Sequence, residues 1–304
     1  MAAIGAAAAI GGAIAAWHYH QLGLTLTHYD ARGHLVVARR IFDSITPGWQ
    51  QIGAVWLPLP HLLNAIPVQI DLFYRTGASA VAISVASYAI ATGAIAWIVY
   101  ALGGPRTEGT RVFQASVLTS AAASAVFALN PNVVYLQATP MTELLLLATT
   151  TVAVAMLIAW CDRGPTHGSA PAGWGNAGAD RRVRPAHVGV AFALACLTRY
   201  EAWPLTASAL VAAAWVLWRN GDAVTTACRR IGAIALYPAV AILGFAIFSR
   251  IVVGQWFVSS DFFVPENKAL GLPRIAVDEP GMQVQLPRTR ALRSRPTDLR
   301  SSMI

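Results

Sequence analysis

Lysine is all but absent from this chain. Lys268 is the only one among 22 basic residues, so the rest are arginine. Charge of either sign is scarce, at 12% of 304 residues, against about 25% in a water-soluble domain. That is too little to clothe an ordinary soluble fold. Cysteine is limited to Cys161, Cys196 and Cys228, which share no metal-ligand spacing. They read as small side chains, with Cys161 and Cys196 in or beside apolar runs. A glycine-rich phosphate loop is missing. The net charge of +8 does not signal nucleic acid, because no basic stripe is interleaved with aromatics.

What the chain has instead is apolar length. Hydrophobic residues make up 56% of it, and mean hydropathy is +0.53. They form long uninterrupted runs, each about the 20 residues a helix needs to cross a bilayer. The first runs from Met1 to about Trp17. Ala13-Ile14-Ala15 resembles a signal-peptide cleavage site, but the basic segment such peptides carry is lacking, and a first helix with a clipped start is the better reading. Further runs cover Gly77–Leu102, Val112–Asn130, Met141–Cys161 and about Ile231–Val253. Between Val188 and Trp218 lies one stretch broken by Arg199 and Glu201. It is too long for one helix and short for two. It reads as a short helix, a boundary turn, and a second helix starting near Trp203-Pro204, since proline suits a first helical turn. The expected fold is all-α: a polytopic transmembrane bundle of about seven spans over residues 1–253.

Arginine sets the orientation. Arg106, Arg111, Arg163, Arg181, Arg182, Arg184, Arg219, Arg229 and Arg230 fall in the linkers 103–111, 162–187 and 219–230. The alternate linkers are poorer in positive charge for their length, and 131–140 has none. The positive-inside rule makes the arginine-rich set cytoplasmic. A multi-pass protein of the inner (plasma) membrane with a cytoplasmic N-terminus follows. The Gly/Pro/Ala-rich stretch 164–180 reads as a flexible linker. The segment 18–75, the Asn130–Pro140 turn, the Arg199–Glu201 break and the region after Gly254 then all face outward.

The first outer loop is unusually long, and its content is not that of a disordered segment. From Ala31 to Phe42, Leu35, Val36, Ala38 and Ile41 lie near one helical face, which suits a helix in the interface plane. Trp49, Trp56 and Tyr74 suit the headgroup level. Asp30 precedes that helix. It reads either as an N-cap or as a boundary carboxylate able to act as general base on a hydroxyl. Five of the 7 histidines sit in this loop, at positions 18, 20, 28, 34 and 61. His18 and His20 are spaced like residues on one strand face. The group reads as interfacial or structural, with a divalent metal site as the alternative.

Three segments carry a resemblance. Tyr29-Asp30-Ala31-Arg32-Gly33-His34, the Thr46-Pro47-Gly48 turn and Trp56-Leu57-Pro58-Leu59-Pro60-His61 resemble the first outer loop of bacterial GT-C glycosyltransferases. These are polytopic enzymes using polyprenyl-phosphate sugars, and they include protein mannosyltransferase and aminoarabinose transferase relatives. Asn130-Pro131-Asn132, Tyr135-Leu136-Gln137 and Thr139-Pro140-Met141-Thr142-Glu143 resemble a later outer turn of the group. Thr198-Arg199-Tyr200-Glu201-Ala202-Trp203 resembles a third shared element. Together these cover roughly residues 18–270. The resemblance implies sugar transfer from a lipid phosphate to an acceptor on the extracytoplasmic face, with inversion at the anomeric carbon. It places an acidic residue of the first outer loop at the reaction centre, and Asp30 is the matching position. Protein mannosyltransferases tend to have an Asp-Glu pair there; Ala31 stands in its place, which argues against that particular activity.

Within that class Asp30, Glu143 and Arg199 are the catalytic candidates. A fixed guanidinium at Arg199 stabilises a phosphate leaving group. The competing reading is snorkelling or pairing with Glu201. Glu143 begins a span and either interacts with the helix dipole or lines the site. His34, His61, Tyr135, Gln137, Tyr200 and Glu201 are the substrate-binding candidates. The implied partners are a polyprenyl-phosphate-linked sugar, membrane lipid and an unidentified acceptor. Two rival functions remain. A transporter or lipid flippase places polar groups at the bilayer midplane and often shows internal repeats; no repeat is visible. The other is a non-catalytic membrane subunit. After Gly254 the composition still fits an outer segment. From about Arg274, through Arg288, Arg290, Arg293, Arg295 and Arg300, apolar content falls away and disorder is expected. Relatives in the resembled group usually carry more spans or an outer domain here, so residues 254–304 are expected to end a truncated or frame-shifted product.

Overall fold

The computed structural model describes residues 1–53, 55–103, 111–162, 183–254 and 256. The expectations for 164–180, for Arg106, Arg163, Arg181 and Arg182, and for the arginine-rich tail lie outside the described residues. Among those described, the regular elements are helical. In chain order they are α1 (Ala2–Gln21), α2 (Tyr29–Arg40), α3 (Pro58–Asn64), α4 (Asp71–Thr76), α5 (Ala78–Leu102), α6 (Arg111–Ala128), α7 (Pro131–Leu136), α8 (Glu143–Cys161), α9 (Pro185–Cys196), α10 (Ala202–Arg219) and α11 (Val224–Val252).

Four helices, α1, α5, α8 and α11, are long and apolar enough to cross a membrane. Their outer surfaces are apolar too. On α11, Leu236, Val240, Leu243, Ile247 and Ile251 are all exposed, and their spacing places them on one helical stripe. Water would penalise such a contiguous apolar face; lipid does not. The expected count of seven spans is larger than four. The helices α6 and α10 have 18 residues each and α9 only 12, and these three fall outside the long apolar set. At 1.5 Å per residue α9 is about 18 Å long.

The helix α5 packs against α1, α6 and α8, and α9 packs against α8 and α11. Polar side chains fasten the first group. Tyr88 Oη donates to the Ala128 carbonyl at 2.9 Å, and Ser84 Oγ donates to the carbonyls of Thr139 and Met141 at 3.0 and 3.1 Å. In the second group Gly189 allows a close crossing. A Cβ there would lie 2.9 Å from the Ile234 carbonyl oxygen and would strike the Tyr237 ring.

The helices alternate in direction, so the connections sort to two ends. At one end Trp160, Val188, Leu217, Ala227 and Ile231 share a core cluster, beside the ion pair of Arg230 with Asp222. At the other end the first loop folds over the bundle. Leu57 packs with Phe245 and Val253, Ile41 and Ile52 meet Phe248, and the Leu59 amide donates to the Leu197 carbonyl at 2.9 Å.

The loop differs from its sequence reading in two details. The first helix runs on to Gln21, so His18 and His20 lie in its last turn and not on a strand. The helix α2 begins at Tyr29, and the His28 imidazole caps it by accepting from the Asp30 amide. Asp30 is therefore a first-turn residue and not the cap. The start of α2 moves back because the His28 ring supplies the capping acceptor two residues before Asp30.

Candidate functional site

Where the loop covers the bundle it encloses a cavity of about 280 Å³. Its walls include His34 from α2, Trp56 from the loop before α3, Thr142 before α8, and Arg199, Tyr200 and Glu201 from the break between α9 and α10. Segments more than 150 residues apart in sequence thus converge.

Arg199 is the centre of charge. Its Nη1 donates to Glu143 Oε1 at 2.9 Å and to Thr142 Oγ1 at 3.1 Å. Its Nη2 and Nε grip Glu201 Oε1 at 2.8 and 3.2 Å. Burial pulls the guanidinium towards neutrality, but Glu201, Glu143 and Asp30 outweigh it and hold Arg199 above its ordinary value. In return, the hydrogen bond from Arg199 holds Glu201 below the usual carboxylate range. The two partners are unlike. The Glu201 side chain is 59% exposed, that of Glu143 only 27%. One oxygen of Glu143, Oε2, is buried with no hydrogen-bond partner.

Asp30 stands one helical turn before His34, on the same face of α2. Among the described residues its carboxylate is held by no hydrogen bond or ion pair, and its charge reaches Arg199.

The wall residues His34 and Trp56 form an aromatic cluster with His61. The rings of His34 and Trp56 are 4.3 Å apart, and those of His34 and His61 5.2 Å. Gly33 makes room for it: a Cβ there would lie 2.7 Å from the Trp56 ring. His34 Nδ1 and His61 Nε2 are 3.1 Å apart, and His61 Nδ1 is 3.1 Å from the Leu57 carbonyl oxygen. Burial pushes His34 down to about 2, helped by the charges of His61 and Arg199, and burial pushes His61 to about 4. Burial thus favours the neutral form of both rings. Tyr200 is driven up to about 12 by burial.

The sequence candidates therefore divide. Arg199, Glu143, Tyr200, Glu201 and His34 come together, His61 backs them, and Asp30 stands at the edge. Tyr135 and Gln137 do not line this cavity. Gln137 is fully buried and donates to the carbonyls of Gly12 and Val134. Tyr135 Oη shares a hydrogen bond with Thr27 Oγ1 at 3.0 Å, and its ring meets Tyr19 edge-on. Both bind α1 and its exit to α7. Trp56 and Thr142 belong to the site and were not singled out as binding residues. Only the short motifs around them hinted at it. Among the described residues no three His, Cys, Asp or Glu are grouped to hold a metal ion.

Comparison with protein families, with curated proteins and with solved structures finds no match to this chain.

Proposed function

We propose that this chain is a multi-pass membrane glycosyltransferase that moves a sugar from a polyprenyl phosphate to an acceptor on the extracytoplasmic face of the plasma membrane. In this reading α6, α9 and α10 cross beside the four long helices, giving seven spans from a cytoplasmic N-terminus. The arginine-rich linkers then stay inside. The observation that carries the reading is Arg199, held between Glu143 and Glu201 in a cavity at the bundle end, with Asp30 near enough to act on its charge.

The chemistry follows from those groups. Asp30 takes the proton of the acceptor hydroxyl. The hydroxyl oxygen forms a bond to the anomeric carbon, and the bond from that carbon to the phosphate oxygen breaks. The phosphate leaves with the electron pair. Arg199 meets the growing negative charge with a fixed guanidinium. The more exposed Glu201 is the partner that a phosphate displaces, while Glu143 keeps the guanidinium aimed. The polyprenyl tail lies among the helices.

The test is sugar transfer from a polyprenyl-phosphate donor by purified membranes. Asp30→Asn is expected to lose at least about a hundredfold in rate with unchanged insertion. Equal rates in the two proteins remove Asp30 from the mechanism.

A further inference from the structure

The Leu57 carbonyl fixes the protons on two buried histidines. A carbonyl oxygen only accepts, so His61 Nδ1, 3.1 Å away, carries the proton. A neutral His61 then has a bare Nε2. His34 Nδ1 lies 3.1 Å from that atom, so it must donate, and His34 Nε2 is bare in turn. Burial supports the neutral form of both rings.

That last nitrogen is a lone pair with no use inside the protein. His34 is 5% exposed, and its Nε2 is buried without a hydrogen-bond partner. The ring lines the cavity that holds Arg199. The nearby guanidinium disfavours a proton there. What fits is a neutral O–H donor. Beside it Trp56, 4.3 Å from His34 ring to ring, offers an apolar face on the same cavity wall. A pyranose ring presents both features: an apolar C–H face and hydroxyls at its edge.

We propose that His34 Nε2 is the fixed acceptor for one hydroxyl of the pyranose ring, with the ring against Trp56, and that Leu57 and His61 lock His34 in that role. The inference rests on the glycosyltransferase reading for its substrate. It adds sugar specificity to the site: a donor lacking that hydroxyl leaves a buried acceptor unpaired, which a site rejects strongly.

The experiment is ¹⁵N NMR of histidine-labelled full-length protein in nanodiscs. Probes are methyl mannoside, methyl glucoside, their monodeoxy forms, and inorganic phosphate. The expected spectrum has His34 protonated on Nδ1 alone. One methyl glycoside shifts its Nε2, one monodeoxy form fails to, and phosphate leaves it unmoved. In the transfer assay His34→Phe raises the donor KM about tenfold with little change in kcat, and His34→Asn restores part of it. A His34 protonated on Nε2 overturns the inference. So does an Nε2 that ignores the glycosides, which is the outcome if water serves it. If His34 answers to glycosides but membranes transfer no sugar, the enzyme reading fails and the sugar site stands. If sugar is transferred while His34 ignores glycosides, only the present inference fails.

Discussion

Arg199 Nη1 reaches Glu143 Oε1 across 2.9 Å and so joins the break between α9 and α10 to the first turn of α8, 56 residues earlier. Glu143 is well placed for it, because a carboxylate at a helix N-terminus is favoured by the helix dipole. Both side chains are about a quarter exposed, at 26% and 27%. Removing Glu143 leaves the guanidinium to Glu201 alone, and removing Arg199 leaves Glu143 charged and poorly solvated.

Glu143→Ala is therefore expected to cost about 1–3 kcal/mol of stability, below the figure for fully buried pairs because water still reaches this one. Glu201→Ala is expected to cost less than about 1 kcal/mol, since the Glu201 carboxylate is itself mostly exposed. Thermal unfolding in detergent ranks the two. The reverse order contradicts the assignment of Glu143 as the structural partner.

Acid should weaken the protein through His34 and His61. Their folded values, about 2 and about 4, lie below the unfolded value of 6.5. Below 6.5 the unfolded chain binds protons that the folded chain refuses. The stabilisation is complete above that pH and is lost as pH falls towards the folded values. Melting temperature followed downwards from neutral pH should drop steadily. The double variant His34→Phe with His61→Phe should flatten that slope. An unchanged slope would mean that other groups govern acid unfolding.

Gly33 is required by Trp56. In Gly33→Ala the new methyl would stand 2.7 Å from a rigid indole, so Trp56 must leave the cavity wall. Helix propensity favours alanine by roughly 1 kcal/mol, so the fold should survive. The expected result is a change in tryptophan emission and a loss of transfer with the protein still folded. Unaltered emission and full activity would place Trp56 outside the site.

The two ends of the bundle should label from opposite sides. With the native cysteines replaced, Asp30→Cys is expected to react with an impermeant reagent from outside the cell, and Asn220→Cys only after the membrane is opened. The opposite pattern ends the extracytoplasmic assignment and the enzyme reading with it.

Much of the helix pattern was legible because lipid-facing helices have no polar face to interrupt the runs. The runs ending at Leu102 and Cys161 share their last residues with α5 and α8. The polar interruption at Arg199 and Glu201 fell where α9 gives way to α10. Pairings across the fold were hidden. Nothing local to Gln137 tells that its amide meets the backbone of Gly12, 125 residues away. The His34–His61 contact was equally invisible, because histidine spacing carries no register once an irregular loop separates the two helices that hold them. Arg199 was legible as a costly charge in an apolar stretch. Its grip on Glu143 was not, since an alternative partner, Glu201, stood two residues away.

Photolabelling with a polyprenyl phosphate that carries a crosslinker next to the phosphate tests the site most directly. The predicted labels are Trp56 and Tyr200, which line one cavity, with labelling lost in Arg199→Gln. Labels scattered along the lipid-facing stripe of α11, or a pattern indifferent to Arg199, would contradict a phosphate held at that guanidinium.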